Sequence, residues 1–319
     1  MTQLKCAIIS CPGLGDGLVS LVLSNNMHLN GWEAITYHEK YLIQLQSWFP
    51  HLPIHPFPSK NEIPKLLSSF DKIFVSYSST SSFIQEIIRE GKKEEDGKLI
   101  VLNPSYSKNI GKQPFYEDAL FSPNVTIVKN IENFCHKLLQ LPKCTKSNGL
   151  IVPYDLVHRK YLKRVILHPT SAKKGKCWEP KKYVKLALHL KQKGFMPIFI
   201  MSAEETSQWE WIKELDFQIK VFSGFDALAK FIYESGYMIG NDSGIGHLAS
   251  SLGLPTISLF RSPRSAKIWR PGWGDNKIIC PSRYIPNLSG FRLRDKKWQK
   301  FISVRKVLKN FEKLVQRSA

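Results

Sequence analysis

What this chain lacks narrows it first. Acidic residues are scarce, with 26 Asp and Glu against 46 Lys and Arg in 319 residues, so the formal net charge is +20. Six cysteines, Cys6, Cys11, Cys135, Cys144, Cys177 and Cys280, form no C-x-x-C pair and no Cys/His cluster at zinc spacing. That leaves no sequence case for a metal site and suits reduced thiols in a cytosol. No stretch reaches the roughly 18 apolar residues of a transmembrane helix. The apolar run inside MTQLKCAIIS is too short for a signal peptide and meets a glycine turn. The expectation is a cytoplasmic protein whose membrane contact, if any, is peripheral. Low-complexity segments are missing, and so is every familiar nucleic-acid-reading module, so no nucleic-acid partner is expected.

What is present is an ordinary hydrophobic share, 43%, enough for a real core in one large or two smaller domains. The positive charge is uneven: from Arg261 onward there are 16 Lys and Arg but only 3 Asp and Glu. Such a surface favours anionic partners, although a solvated, highly soluble face is the plain alternative.

Apolar runs alternate with helical stripes. Strands are expected at residues 4–10, 34–37, 73–76, 99–102, 164–168, 196–201, 219–222, 237–239 and 256–259. Helices are expected at 18–29, 83–89, 134–141, 180–193, 206–215, 225–235, from the 242–243 cap to 252, and at 303–317. Between residues 143 and 161 the chain turns polar, and then the pattern restarts. The fold class is therefore α/β: two Rossmann-like, doubly wound parallel-sheet domains facing an interdomain cleft, with ligands at the carboxyl ends of strands. The domains are placed at 1–155 and 156–300, followed by an amphipathic helix at 301–319.

Three strand-to-helix loops carry candidate chemistry. Gly13-Leu14-Gly15-Asp16-Gly17 approaches a dinucleotide fingerprint but fails at its third glycine, because residue 18 is Leu. No Gly-Lys-Ser/Thr follows, so the Walker spacing fails as well, and no cofactor is expected. What remains is Asp16 at a helix start, either a cap or a general base aimed into the cleft. The second loop, His168 to Trp178, offers the hydroxyls of Thr170 and Ser171 and three lysines including Lys176; these suit phosphate oxygens or form a solvated basic loop. The third, GNDSGIGHLASSLGLPT at 240–256, has Asp242 or Ser243 as a cap. Gly244 and Gly246 would allow close approach to helix-terminal N–H groups, and His247 would act as a further donor.

These residues resemble glycosyltransferase family 9, the bacterial heptosyltransferase-like enzymes of GT-B fold. G-N-D-S-G-I-G-H-L-A-S-S-L-G-L-P-T at 240–256 is similar to that family's D-[ST]-G-x-x-H-x-A-x-x-x-G-x-P signature. H-P-T-S with K-C-W-E-P at 176–180 resembles its donor-phosphate segment, G-L-G-D its acidic first turn, and W-x-x-F-I-S-V at 298–304 its closing segment. The likeness spans nearly the whole chain and is faint between about residues 40 and 150, where the acceptor would bind. The first turn departs from the family's [ST]-x-x-G-D, and Ser24-Asn25-Asn26 occupies the region where the family has a proline.

The resemblance implies an inverting, metal-independent glycosyltransferase. It would move heptose from ADP-heptose onto a lipopolysaccharide inner core or related anionic glycolipid, at the cytoplasmic face of the inner membrane. Asp16 would be the base, in an acceptor-side loop framed by Gly13, Gly15 and Gly17. Lys176, Thr170 and Ser171 would contact the diphosphate, and Asp242, Ser243, Gly244 and His247 the donor. Glu204, or alternatively Glu205, would hold the donor ribose. A different nucleotide-sugar donor, a non-catalytic nucleotide-binding member and a nicotinamide-dependent Rossmann protein are the alternatives.

Overall fold

The computed structural model describes residues 3–93, 97–102, 121–287 and 292–318. The chain divides into two compact units, Met1–Pro153 and Tyr154–Ala319.

The first unit holds β1 (Lys5–Ile9), β2 (Glu33–His38), β3 (Ile54–Pro56), β4 (Lys72–Ser76) and β5 (Leu99–Leu102). They form one sheet in the order β3-β2-β1-β4-β5 with every pair parallel. β1 is an unbroken apolar run because a central parallel strand is covered on both faces: Cys6, Ala7, Ile8 and Ile9 are all buried. On one face Ala7, Ile9, Ile73, Val75 and Val101 pack against Ile84, Ile87 and Ile88 of the helix Ser82–Gly91.

Two helices differ from expectation. The one expected from residue 18 begins at Leu14, so Gly15, Asp16 and Gly17 lie in its first turn. The one expected at 134–141 spans Ile127–Lys137. Thr126 caps it by accepting the Lys129 N–H at 3.2 Å, and Gln140 beyond its end takes the left-handed φ of 51°. The asparagines that depart from the family pattern have a structural use. Asn26 donates to Thr145 O at 2.8 Å and accepts from Thr145 N–H at 2.7 Å. Asn25 donates to Ser147 O at 3.1 Å, and Asn30 brackets Lys143 in the same way as Asn26 does Thr145. Together they bind the segment 143–147 along the helix Leu14–Leu29.

The second unit holds β6 (Tyr161–His168), β7 (Met196–Ile200), β8 (Gln218–Lys220), β9 (Ser235–Asn241), β10 (Thr256–Leu259) and β11 (Asn276–Ile279). Their order is β11-β10-β9-β6-β7-β8, again all parallel. Winding reverses between β6 and β9, which makes their carboxyl ends the switch point where such sheets bind ligands. β9 is buried along its whole length. The helix Val304–Ser318 buries Val307, Phe311 and Leu314 in this unit's core beside Leu186 and Leu190 of the helix Pro180–Gln192. Arg159, just before β6, donates to Ser318 O at 2.8 Å. The helix expected at 206–215 is instead a short turn, Ala203–Thr206, and a 3-10 segment, Glu210–Leu215. The one expected to reach residue 235 ends at Tyr233, because Ser235 opens β9.

Candidate functional site

At the switch point one buried side chain organises the loops. Asn241 ends β9, and its Oδ1 accepts the Trp178 backbone N–H and the Tyr183 hydroxyl, both at 3.0 Å. Its Nδ2 donates to Pro169 O at 2.7 Å and Thr170 O at 3.4 Å. Four bonds from one amide satisfy polar groups that burial would otherwise leave unpaired. The loop after β6 is thereby fixed to the end of β9. Its far side is anchored by Trp178 Nε1 donating to Ile302 O at 3.1 Å and Trp298 Nε1 donating to Gly175 O at 2.9 Å.

Within this frame the hydroxyls and charges are mostly engaged with each other. Lys176 Nζ lies 2.7 Å from Asp242 Oδ2. Ser171 Oγ donates to Asp242 O at 3.3 Å, and Thr170 Oγ1 donates to Glu205 Oε2 at 3.0 Å. Ser243 occupies the N-cap of the helix Gly244–Ser251, yet its side chain makes no cap bond. Its Oγ lies 3.2 Å from His168 Nδ1. The cap expected of Asp242 or Ser243 is therefore not made by the serine side chain, which points to β6. A methyl on Gly246 would meet Ser258 Oγ at 3.7 Å and Asn241 O at 3.9 Å, so this glycine faces the sheet and not the open helix end.

His247 is also turned inward. It is 5% exposed, its ring stands edge-on to Trp273, and its Nδ1 has no hydrogen-bond partner. Burial pulls its pKa down to about 4, against the opposing pull of Asp242, so the ring is neutral at physiological pH. His168 is depressed to about 4 for the same reason, with Glu205 opposing.

Beside these groups lies a cavity of about 200 Å³. Ile200, Met201, Phe222, Phe225, Leu228 and Ile245 give it apolar walls, and His168, Ser202 and Glu205 supply its polar edge. Glu205, not Glu204, is the acid on this wall. It folds back to accept the Ser202 N–H at 3.0 Å, which directs it to Thr170 and leaves Glu204 exposed.

In the first unit, Asp16 sits half-buried in the first turn of Leu14–Leu29. Gly13 has a φ of 130°, and a methyl there would come within 2.9 Å of Asp16 Oδ2, so only glycine suits the position. A methyl on Gly17 would lie 2.8 Å from the buried His38 ring, whose Nε2 is 3.0 Å from Gly13 O. Gly15 follows in the same helical turn. Asp16 belongs to the first unit and the phosphate-type loops to the second. Residues 94–96 and 103–120, within the stretch expected to bind acceptor, lie outside the described residues.

A model of glycosyltransferase family 9 (heptosyltransferase) matches residues 132–297. The chain belongs to glycosyltransferase family 9. Over 170 residues it is 28% identical to lipopolysaccharide heptosyltransferase 3 of Escherichia coli K12, a match covering 49% of this chain and 47% of that protein. The chain thus spans about half the length of the curated relative it matches. Among solved structures it is similar to Escherichia coli ADP-heptose LPS heptosyltransferase II, with a TM-score of 0.69 and 16% identity over 99% of this chain and 100% of that one. It is similar also to Escherichia coli heptosyltransferase WaaC with ADP, with a TM-score of 0.69 and 13% identity over 98% and 100%. A family 9 structure from Veillonella parvula gives 0.69 and 14% over 99% of each chain. At these identities the likeness is one of fold, the expected pair of parallel-sheet α/β units.

For a family 9 chain, the signature residues do come together: the loops at 168–178 and 241–247 meet at the β6/β9 switch point. Sequence reasoning missed His168 and Asn241 as organisers, because their importance lies in partners dozens of residues away. For Glu205 a signal existed: Ser202-Ala203-Glu204-Glu205 has the S-x-x-E spacing of a capping box, which turns the fourth residue back and not the third. Among the described residues no helix is long and apolar enough to cross a membrane.

Proposed function

We propose that this family 9 protein is an inverting, metal-independent glycosyltransferase that moves heptose from an ADP-heptose donor to a lipopolysaccharide inner-core or related glycolipid acceptor. The observation that carries the donor half is the apolar cavity with Glu205 at its rim, next to the start of the helix Gly244–Ser251. A nucleoside base fits the apolar walls, and a ribose hydroxyl suits the Glu205 carboxylate. The diphosphate then reaches a helix N-terminus, where backbone N–H groups and the dipole favour anions. Lys176, with Asp242 beside it, adds a cation. These groups stabilise the leaving diphosphate electrostatically, which is the work a metal does elsewhere.

Asp16 is the base that takes the acceptor proton, held by a turn that only glycine at residue 13 allows. The net charge of +20 and the basic chain after residue 261 favour an anionic glycolipid reached at the cytoplasmic face of an anionic membrane. The names of the relatives, heptosyltransferases solved with ADP or acting on lipopolysaccharide, support the choice of donor and acceptor class.

The test begins with thermal stabilisation by ADP, UDP, GDP and CMP. A ligand at about 100 times its Kd adds roughly 2.7 kcal/mol, and ADP should shift the melting temperature most. Asp16→Asn should lower transfer about 10²–10⁴-fold with ADP stabilisation unchanged and with EDTA without effect on the wild type. Full transfer by Asp16→Asn would remove the base from this reading; a shift with UDP alone would replace the donor.

A further inference from the structure

His168 joins the two halves of the proposed donor site. His168 closes β6, is buried, and packs its Cβ beside Gly240 of β9, where a methyl would come within 3.3 Å of it. Its Nε2 is 3.3 Å from Thr170 Oγ1 and its Nδ1 is 3.2 Å from Ser243 Oγ. Proton counting sets the direction of every bond. The Thr170 hydroxyl has a single proton, which goes to the Glu205 carboxylate at 3.0 Å. Thr170 Oγ1 must then accept from His168 Nε2–H. A neutral imidazole has only one N–H, so Nδ1 accepts, and the Ser243 hydroxyl donates to it. The chain runs one way: Ser243 to His168 to Thr170 to Glu205.

At rest, therefore, the only proton of the N-cap serine points away from the helix start. For Ser243 to donate to an anion there without leaving the buried Nδ1 unpaired, Nδ1 must gain a proton, because Nε2–H is held by Thr170 and Glu205. The other charged or titratable groups around the ring fit such a switch. Glu205 favours a cation, Asp242 carries its counter-ion Lys176, and the Tyr183 hydroxyl is bonded to His168 O at 3.3 Å.

We propose that His168 is a positioning residue that takes up one proton at Nδ1 when a diphosphate occupies the start of the helix Gly244–Ser251, turning the Ser243 hydroxyl to donate to it. This rests on the donor reading above, and the balance is simple: solvent supplies one proton, which is returned when the diphosphate leaves. The site thus gains a positive charge only when an anion is there to meet it.

The probe is ADP, and the readout is ¹⁵N NMR of histidine-labelled full-length protein, with His168 assigned by its absence in His168→Asn. The free protein should show the Nε2–H tautomer; saturating ADP should give a doubly protonated ring, and Glu205→Gln, whose amide can donate as well as accept and so no longer fixes the polarity, should give a mixture of tautomers without ADP. His168→Asn should bind ADP about tenfold more weakly, the loss of one charge-assisted hydrogen bond. An Nδ1–H tautomer in the free protein, or a ring unchanged while ADP is bound, overturns the inference and leaves the donor site standing. Failure of ADP to bind, seen as no spectral change at any histidine and no thermal shift, overturns the donor reading and the coupling with it. If His168→Asn does not fold, through-space contacts to Thr170 and Ser243 assign the ring in the wild type.

Discussion

Replacing Asn241 by leucine tests the claim that one amide holds the β6/β9 switch point together. Leucine is close in size, so the perturbation is chiefly the loss of polar partners. The Tyr183 hydroxyl keeps His168 O, at 3.3 Å. The Trp178 N–H and Pro169 O lose the bonds of 3.0 and 2.7 Å that Asn241 gives them. Each buried group left unpaired costs roughly 1–3 kcal/mol, or about 4 kcal/mol for the pair. For a domain of 150–250 residues each kcal/mol moves Tm by roughly 2–4 °C, so the second unit should melt about 12 °C lower. Tryptophan fluorescence during thermal unfolding reports this directly, because Trp178 is at the site. The stabilisation given by ADP should fall as well, since the loop after β6 loses its fixed place. A variant melting within about 3 °C of wild type, with normal ADP stabilisation, would mean that Asn241 does not hold these loops in place.

Two further outcomes follow from the second unit. His168 and His247 both have pKa values lowered from 6.5 to about 4, so below pH 6.5 the unfolded chain binds more protons than the folded one. Stability is then full above about pH 7 and is lost as pH falls, by roughly 2 kcal/mol per histidine between pH 7 and pH 5; urea unfolding at a series of pH values measures it, and a flat profile over that range contradicts the burial argument. Gly236→Ala would drive a methyl onto the carbonyl oxygen of Leu162 where β9 meets β6. Because the methyl would meet backbone of β6 and not a flexible side chain, a loss of about 3 kcal/mol or more is expected, visible as poor expression or a Tm drop near 10 °C; a Tm within 3 °C of wild type would show that the strands part easily.

Much of this was legible from the residues alone, for identifiable reasons. β1, residues 165–167 of β6 and residues 237–239 of β9 lie in central parallel strands where both faces are buried, and so appear as short unbroken apolar runs. β3 was not seen because three residues ending in Pro56 carry no periodicity. The helix Ile127–Lys137 was displaced because its cap, Thr126, precedes a mixed sequence whose apolar stripe shows only once a core is placed beside it. Within the site, Lys176, Thr170 and Ser171 could be picked as residue types suited to phosphate, and Asp242 or Ser243 as a helix cap, but not how they pair. Whether a hydroxyl faces a ligand or a neighbouring carboxylate is decided by contacts across 35 to 75 residues, as for Thr170 with Glu205 and Ser243 with His168. Local spacing shows that Glu205 folds back but not which partner either hydroxyl meets.

The tie between Trp298 and Gly175 also sets an order in time. The two residues are 123 positions apart. A ribosome adding roughly 5–20 residues per second therefore makes the loop after β6 about 6–25 s before its clamp exists. During that interval Trp178 and the core residues that pack against the helix Val304–Ser318 lie without those later partners. The whole of the first unit, Met1–Pro153, precedes this loop and can settle while the second is still being made. Slowing translation downstream of Gly175 should therefore lower the yield of the second unit more than that of the first.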